Sequence, residues 1–405
     1  MAGALDGLRV IDMTSVVMGP TATQLLGDYG ADIIKVEAPS GDTARQVTPL
    51  KNEGMGYSYL TKNRNKRSIV LDLKQADHHA ALEKLLETAD IFVYSARPQA
   101  MARNGLTPER FAELNPRMIS VSLVGYGEGG PYSGRPAYED LIQGLTSVPS
   151  LLTRAGSPQP QYVPLSFNDR GVGIYAAALM MIALHHRDST GEGQHLEVPM
   201  FETMAQLVIG DHAGGMAWVP PIAPPGYLRT LTPERRPYPT KDGHICVIVY
   251  TDNQWRAFAR LIGRPGLLEE DARFRTLGTR TTHADAVYAL VREEMLTGTT
   301  AEWLDKLNAA DVPATPLHTL ESIFDDPHLQ ATGFFEETDH PSEGKLLMTR
   351  GPKNWSKTPP TIRRHAPRLG ENTVEILTEI GYSAQDARKI AGETGEGGQA
   401  GDGGA

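Results

Sequence analysis

The sequence predicts an α/β protein in two parts: a large domain on a doubly wound, mostly parallel sheet, then a smaller α/β domain. Three observations carry that prediction. Short apolar runs of strand length alternate with helical patterns through the first 125 residues. Glycine- and proline-rich loops follow the strands, at the edge where parallel α/β sheets keep their sites. After Thr203 a helical pattern gives way to a stretch dense in proline, and a second strand-and-helix pattern begins beyond it.

With 405 residues the chain can bury a substantial core, and 40% hydrophobic with 22% charged residues mark an ordinary globular protein. A net charge of -10 argues against nucleic acid as a partner. Cys246 is the one cysteine, so neither an internal disulfide nor a four-cysteine metal site can form; its neighbourhood HICVIVY reads as core. The opening MAGALDGLRVIDMT lacks a basic stretch followed by an apolar one, and no apolar run reaches membrane-spanning length. The expectation is a cytoplasmic protein with no membrane partner.

Residues 8–13, LRVIDM, form the first strand. A small-residue turn then leads into a helix at 21–28, Gly30 marks its exit, and 32–37 form the second strand. No G-x-G-x-x-G occurs at that turn, so a dinucleotide cofactor is not indicated. KNRNKRSIVLDLK places Lys62, Arg64, Lys66, Arg67 and Lys74 around a strand at 68–73, either as a phosphate-binding cluster or as a solvated charged face. A helix at 75–88, the strand ADIFVYSA, a helix stopped by Asn115-Pro116 and the strand RMISVSLVGYG complete the pattern. In the loop GYGEGGPYSGRPAYEDLIQG, Tyr138, Glu139 and Asp140 open a helix that either acid would cap.

The richest stretch is 164–203. It reads as a loop bearing Asp169, a buried helix through the apolar run 174–184 that ends in HHRDSTGEG, where glycines let the chain turn, and the strand GQHLEVPM. Adjacent His185 and His186 end the helix rather than hold a metal. Asp169, in a small-residue loop at the helix mouth, is read either as a nucleophile or base or as a helix N-cap. The domain boundaries that follow are a large domain at 1–211, a proline-rich linker at 212–240, a small α/β domain at 241–326 and a return segment at 327–391. Residues 392–405, nearly devoid of apolar side chains, are expected to be disordered.

An ordered series of these segments resembles one family, the class III CoA-transferases, which share a superfamily with the 2-methylacyl-CoA racemases. The series is LDGLRVIDMT, VMGPTATQLLGDYGADIIKVEAP with GDTAR, NKRSIVLDLK, GYGEGGPY, the Asp169 loop, HRDSTGEGQHLEVPMFE, YPTKDG and PRLGENTVEILTEIGYS. The resemblance implies a CoA-transferase with no permanently bound cofactor and with a coenzyme A thioester and a mono- or dicarboxylic acid as substrates. Asp169 falls on the family's nucleophile, which forms a covalent aspartyl intermediate. By family position Val16, Val17, Met18 and Met200 line the pantetheine and thioester, and Leu71, Asp72, Leu73, Lys74, Arg97 and Arg103 lie at the nucleotide end. Tyr138 and Glu139 match a tyrosine-glutamate pair beside the nucleophile. Relatives often read Asn-Phe ahead of the proline matching Pro98, and a basic residue where Ala38 stands; this chain has Ser95, Ala96 and Arg97 there, and lacks a glycine-rich lid.

The family also implies an interlocked homodimer. That would account for two long proline-rich stretches, near 211–240 and 327–367, of a kind uncommon inside a compact domain. Two other functions compete. Racemisation of a 2-methylacyl-CoA would need a proton-transfer partner facing the aspartate, and the racemase histidine is replaced by Tyr138. A non-catalytic CoA-binding protein would need the glycine and basic segments but not Asp169.

Overall fold

The computed structural model describes residues 3–393, and the chain folds into two compact units. Most of the tail expected at 392–405 lies outside the described residues. Unit one comprises the chain to Ile142, Leu165–Met204 and the part from Gly333 onward. Unit two comprises Gln143–Pro164 and Ala205–Thr332.

Unit one is built on six parallel strands: β1 (Arg9–Met13), β2 (Asp32–Glu37), β3 (Lys66–Val70), β4 (Ile91–Tyr94), β5 (Ile119–Val124) and β6 (His195–Pro199), in the order β3-β2-β1-β4-β5-β6. Side chains alternate across this sheet because the strand period is two. Val10, Ile33, Val93 and Val121 enter the core under one face, and Ile11, Ile34, Phe92 and Tyr94 the core under the other. Both faces are therefore covered, as a parallel sheet requires. The first core is closed by helix α1 (Met18–Asp28), which begins earlier than its sequence pattern suggests because Pro20 fits an opening helical turn.

The helices that follow in chain order are α2 (Tyr57–Leu60), α3 (Ala76–Glu87), α4 (Pro98–Arg103), α5 (Pro108–Leu114), α6 (Glu139–Leu145), α7 (Val148–Arg154), which lies in unit two, and α8 (Phe167–Thr190). The second core takes α3, α4 and α5, together with Ile376, Leu377, Ala387 and Ile390 from two helices near the C-terminus. Arg67 fastens the first of these, bonding Glu375 and Glu379 as well as Asp32 on β2.

One expectation about α8 is corrected: it starts ahead of Asp169, so that residue sits in its first turn rather than in a loop. The helix ends within HHRDSTGEG as expected, at Thr190, where Gly191 turns the chain with a φ of 84° that only glycine adopts cheaply. The helix packs on α1 at unusually close range. A Cβ on Gly173 would lie 2.5 Å from the carbonyl oxygen of Met18, so only glycine permits the approach.

The basic segment 62–67 is also corrected, on both of its readings. Lys62, Arg64, Lys66 and Arg67 are all buried, neither solvated nor open to a phosphate. Arg64 pairs with Asp28, and Lys66 with Asp12 on β1 at 2.9 Å. Carboxylates distant in the chain neutralise Arg64, Lys66 and Arg67, which residue spacing does not reveal.

Unit two contains an antiparallel sheet of β7 (Tyr238–Pro239), β8 (His244–Val247) and β9 (Ala314–Pro316). Trp255, Phe258, Phe274, Met295 and Trp303 form its core. Cys246 on β8 is only half-buried, because β8 turns Ile245 inward instead. Among the described residues no helix is long and apolar enough to cross a membrane, and no histidine, cysteine and carboxylate cluster could hold a metal.

Gly173→Ala separates two effects of opposite sign. Alanine favours a helix by about 1 kcal/mol over glycine, whereas a methyl forced against the Met18 backbone costs roughly 1–3 kcal/mol. We expect a net loss, read as a lower urea midpoint of the purified variant; a raised midpoint would contradict the close packing.

Candidate active site

The carboxyl ends of β1, β4, β5 and β6 open into one cavity of about 400 Å³. Its walls are the 15–19 loop after β1, Ser95, Arg97 and Pro98 after β4, residues 123–126 and 133–139 at and after the end of β5, Glu197 and Met200, and Asp169. The cavity lies where the strand order reverses between β1 and β4, and there the connections leave in opposite directions and open a crevice.

Asp169 is brought to this cavity by the start of α8, and Glu139 fixes that start. Ser166, at the N-cap position, makes no side-chain cap. The Glu139 carboxylate does so instead, accepting from the backbone N–H of Asp169 at 2.9 Å and of Asn168 at 3.3 Å. The Asn168 side-chain amide donates to the Glu139 carbonyl at 3.3 Å. Capping thus falls to a residue thirty positions earlier, and the Asp169 carboxylate is spared that duty. It receives no hydrogen bond from the described residues.

Burial, with the negative charge of Glu139 adding to it, pushes Asp169 up to about 6, against the opposing pull of Lys62 and Arg170. It is therefore ionised at neutral pH yet poorly solvated, a combination that favours nucleophilic attack. Lys62 donates to the Ser58 carbonyl and hydroxyl, both at 2.7 Å. Burial and Arg170 push its ammonium down to about 8 in spite of Asp42 and Asp169.

Of the residues named from sequence, Val16, Val17, Met18, Arg97, Tyr138, Glu139, Asp169 and Met200 meet around the cavity. Leu71, Asp72, Leu73, Lys74 and Arg103 do not line it. Leu71 is buried in the second core and Leu73 packs against it, while Asp72 accepts from the Lys74 N–H and so shapes the turn into α3. Arg103 stands exposed at the end of α4. Two charged wall residues were missed. Arg135, stacked 4.9 Å from the centre of the Tyr132 ring, belongs to the glycine-proline loop already singled out; Glu197 alternates outward on a strand and carries no local signal.

Residues 5–373 match the family model described as CoA-transferase family III. The chain is 32% identical to succinate--glutarate CoA-transferase of Agrobacterium fabrum, over 93% of this chain and 95% of that one. It is 31% identical to succinyl-CoA:mesaconate CoA-transferase of Haloarcula marismortui, covering 94% and 97% of the two chains. Formyl-CoA:oxalate CoA-transferase of Rhodopseudomonas palustris is 32% identical, covering 96% of each. Among solved structures, a CAIB/BAIF family protein from Brucella suis superposes with a TM-score of 0.76 at 28% identity, covering 94% of this chain and all of that one. The fold and its crevice thus coincide with a full-length sequence match. The protein belongs to CoA-transferase family III and is a CoA-transferase.

The raised Asp169 value makes a prediction about stability alone. Asp169 holds its proton more tightly in the folded chain than at its ordinary 3.8, so its ionisation opposes folding. That cost is absent below about pH 4 and complete above about pH 7. Asp169→Asn removes it, and should raise unfolding free energy at pH 8 by at most about 3 kcal/mol with no gain at pH 4. Urea titrations at the two pH values test this; an equal gain at both would show that burial does not perturb the carboxyl.

Proposed function

We propose that this CoA-transferase moves CoA from an acyl-CoA donor to a carboxylic acid through a covalent intermediate on Asp169, and that the acceptor is a dicarboxylate. The observation that carries the reading is the Asp169 carboxylate itself, undersolvated, without a hydrogen-bond donor among the described residues, and on the wall of the crevice. The dicarboxylate part rests on the relatives, whose names specify succinate, glutarate, mesaconate and oxalate.

A carboxylate oxygen of Asp169 attacks the thioester carbonyl; the carbon–sulfur bond breaks and CoA leaves as thiolate, giving a mixed anhydride. The thiolate attacks the aspartyl carbonyl and expels the donor acid, so the enzyme becomes the CoA thioester. The acceptor carboxylate attacks that carbonyl, expelling thiolate and forming a second anhydride. Thiolate then attacks the acceptor carbonyl, releases the new acyl-CoA and restores Asp169. No net proton is consumed, and each intermediate survives only where water is excluded. Glu139 holds the backbone of Asp169, residues 16–18 and Met200 face the thioester, Tyr138 flanks the nucleophile, and Arg97 and Arg135 meet the phosphates.

Asp169→Ala should fold and lose transfer by at least about a thousandfold, since no neighbour can replace the covalent relay. Mass spectrometry of wild-type enzyme incubated with succinyl-CoA and hydroxylamine should find the adduct on Asp169. Turnover near wild type in the variant would refute the mechanism.

The pH profile offers a separate check. kcat/KM for the donor should fall on the acid side with an apparent pKa of about 6, because the free nucleophile must be ionised. Removing the adjacent negative charge with Glu139→Gln should move that limb to lower pH. CoA titrates identically in both assays, so the difference belongs to the enzyme.

The functional unit in this reading is an interlocked homodimer. Ile174 and Ile182, on α8, are 56% and 65% exposed in the single chain, an apolar row that calls for cover. Light scattering should give about 88 kDa, twice the 44.0 kDa chain, with no subunit exchange against a tagged copy over hours. An active monomer would exclude the interlock.

A further inference from the structure

The loop between β1 and α1 contains a backbone conformation that its own residues do not favour. Val16 has a φ of 68°, in the left-handed region. The other described non-glycine residues there are Asn65, Ser147 and Asp311, whose short polar side chains suit it better. A β-branched residue pays on the order of 1–3 kcal/mol for this geometry. Val16 recovers little by packing, since it is 41% exposed on the cavity wall.

What holds it is a set of buried charges behind the loop. The Val16 N–H donates to both carboxylate oxygens of Asp42, at 3.0 and 3.2 Å. Asp42 also accepts from the Ala44 N–H at 2.9 Å and from the Lys35 ammonium at 3.0 Å. Lys35, fully buried on β2, donates to the Thr14 carbonyl at 2.8 Å. From the other side Asp12, also fully buried, accepts from the Thr14 N–H at 3.0 Å. Both peptide units flanking Ser15 are therefore fixed by ionic partners. A strand-to-helix turn can form without sequestering charge in this way, and buried charge is costly unless its partners are well aligned and its remaining donors and acceptors are met.

We propose that Asp42, held in place by Lys35, is a positioning residue for acyl transfer: it keeps Val16 left-handed and so aims residues 15–18 at the thioester. The assignment rests on the reading that this cavity binds the CoA thioester. Asp42 does not line the cavity and acts through the loop. Freed from it, Val16 relaxes toward an extended φ and the loop leaves its alignment with Asp169. Such misplacement penalises the chemical step more than the binding of the distant nucleotide.

The test is a double-mutant cycle of Asp42→Ser and Val16→Gly, with succinyl-CoA as donor and glutarate as acceptor. Glycine occupies the left-handed region without strain and so needs no pin. In the wild-type background Asp42→Ser should lower kcat on the order of tenfold with KM for succinyl-CoA changed less than about threefold. In the Val16→Gly background the same change should cost less than about twofold. An equal loss in both backgrounds, or no loss in either, overturns the proposal, because a purely structural Asp42 would be indifferent to residue 16. Asp42→Asn, which keeps the shape and one acceptor oxygen, replaces Asp42→Ser in the cycle if the serine variant does not fold. If the wild-type enzyme transfers no CoA, the substrate reading fails by itself. The pin is then judged from a crystal structure of the Asp42 variant, where a retained positive φ at Val16 overturns it and a negative φ supports it.

Discussion

The buried ion pair of Lys66 with Asp12 is the interaction on which the large unit turns. It ties the amino end of β3 to the carboxyl half of β1 across the intervening β2, and neither side chain reaches solvent. Such a pair is tolerated only when remaining donors and acceptors are met. Here Lys66 also donates to Asn63 and Pro20, and Asp12 accepts from Thr14 and Thr23. Burial alone would raise Asp12, but Lys66 and Lys35 hold it well below the ordinary carboxylate range. Burial lowers Lys66 to about 8, which still leaves it charged at neutral pH. The node therefore stays ionic and directional where an apolar core would be adaptable.

From that node the site is assembled in steps that each fix the next. Asp12 and Lys35 hold Thr14, which sets where α1 begins. The beginning of α1 receives α8 at Gly173, since no larger residue could pass the Met18 carbonyl. Glu139 then caps α8 from outside, which leaves the Asp169 carboxylate without a hydrogen-bond donor among the described residues. A second ionic centre braces the wall: Arg45 bonds Glu37 and the Tyr59 hydroxyl, and both Arg45 and Tyr59 bond the Pro367 carbonyl of the returning chain. The proposed nucleophile thus sits on a rigid element, at the first turn of α8 on the cavity wall.

The strand order 3-2-1-4-5-6 is that of dinucleotide-binding folds, yet the phosphate-cradling glycine fingerprint is absent after β1. Val16 stands in its place with its left-handed turn imposed by Asp42. A crevice common to many parallel sheets is in this way fitted with different first-loop chemistry, in a family whose substrate also bears a nucleotide. Arg97 and Arg135 are the arginines on the cavity wall, since Arg45, Arg64 and Arg67 are committed to carboxylates inside the fold.

Much of this was legible in the residues. Alternating strand and helix patterns specified the parallel sheet because side-chain periodicity follows from backbone geometry, and β2 was bounded correctly at 32–37. That Asp169, Glu139, Val16 and Met200 meet around one cavity was legible through an ordered series of family segments, which encodes position in the fold without computing it. The burial of Arg64, Lys66 and Arg67 was not legible, because a charged run looks solvated until the distant acids that neutralise it are brought alongside. Nor was the cap of α8, supplied from thirty residues away, nor the left-handed Val16, which no local rule would assign to a valine. Local periodicity and small-residue turns are written in the chain; ion pairing, desolvation and imposed backbone strain exist only once distant segments meet, and they decide the protonation and aim of the site.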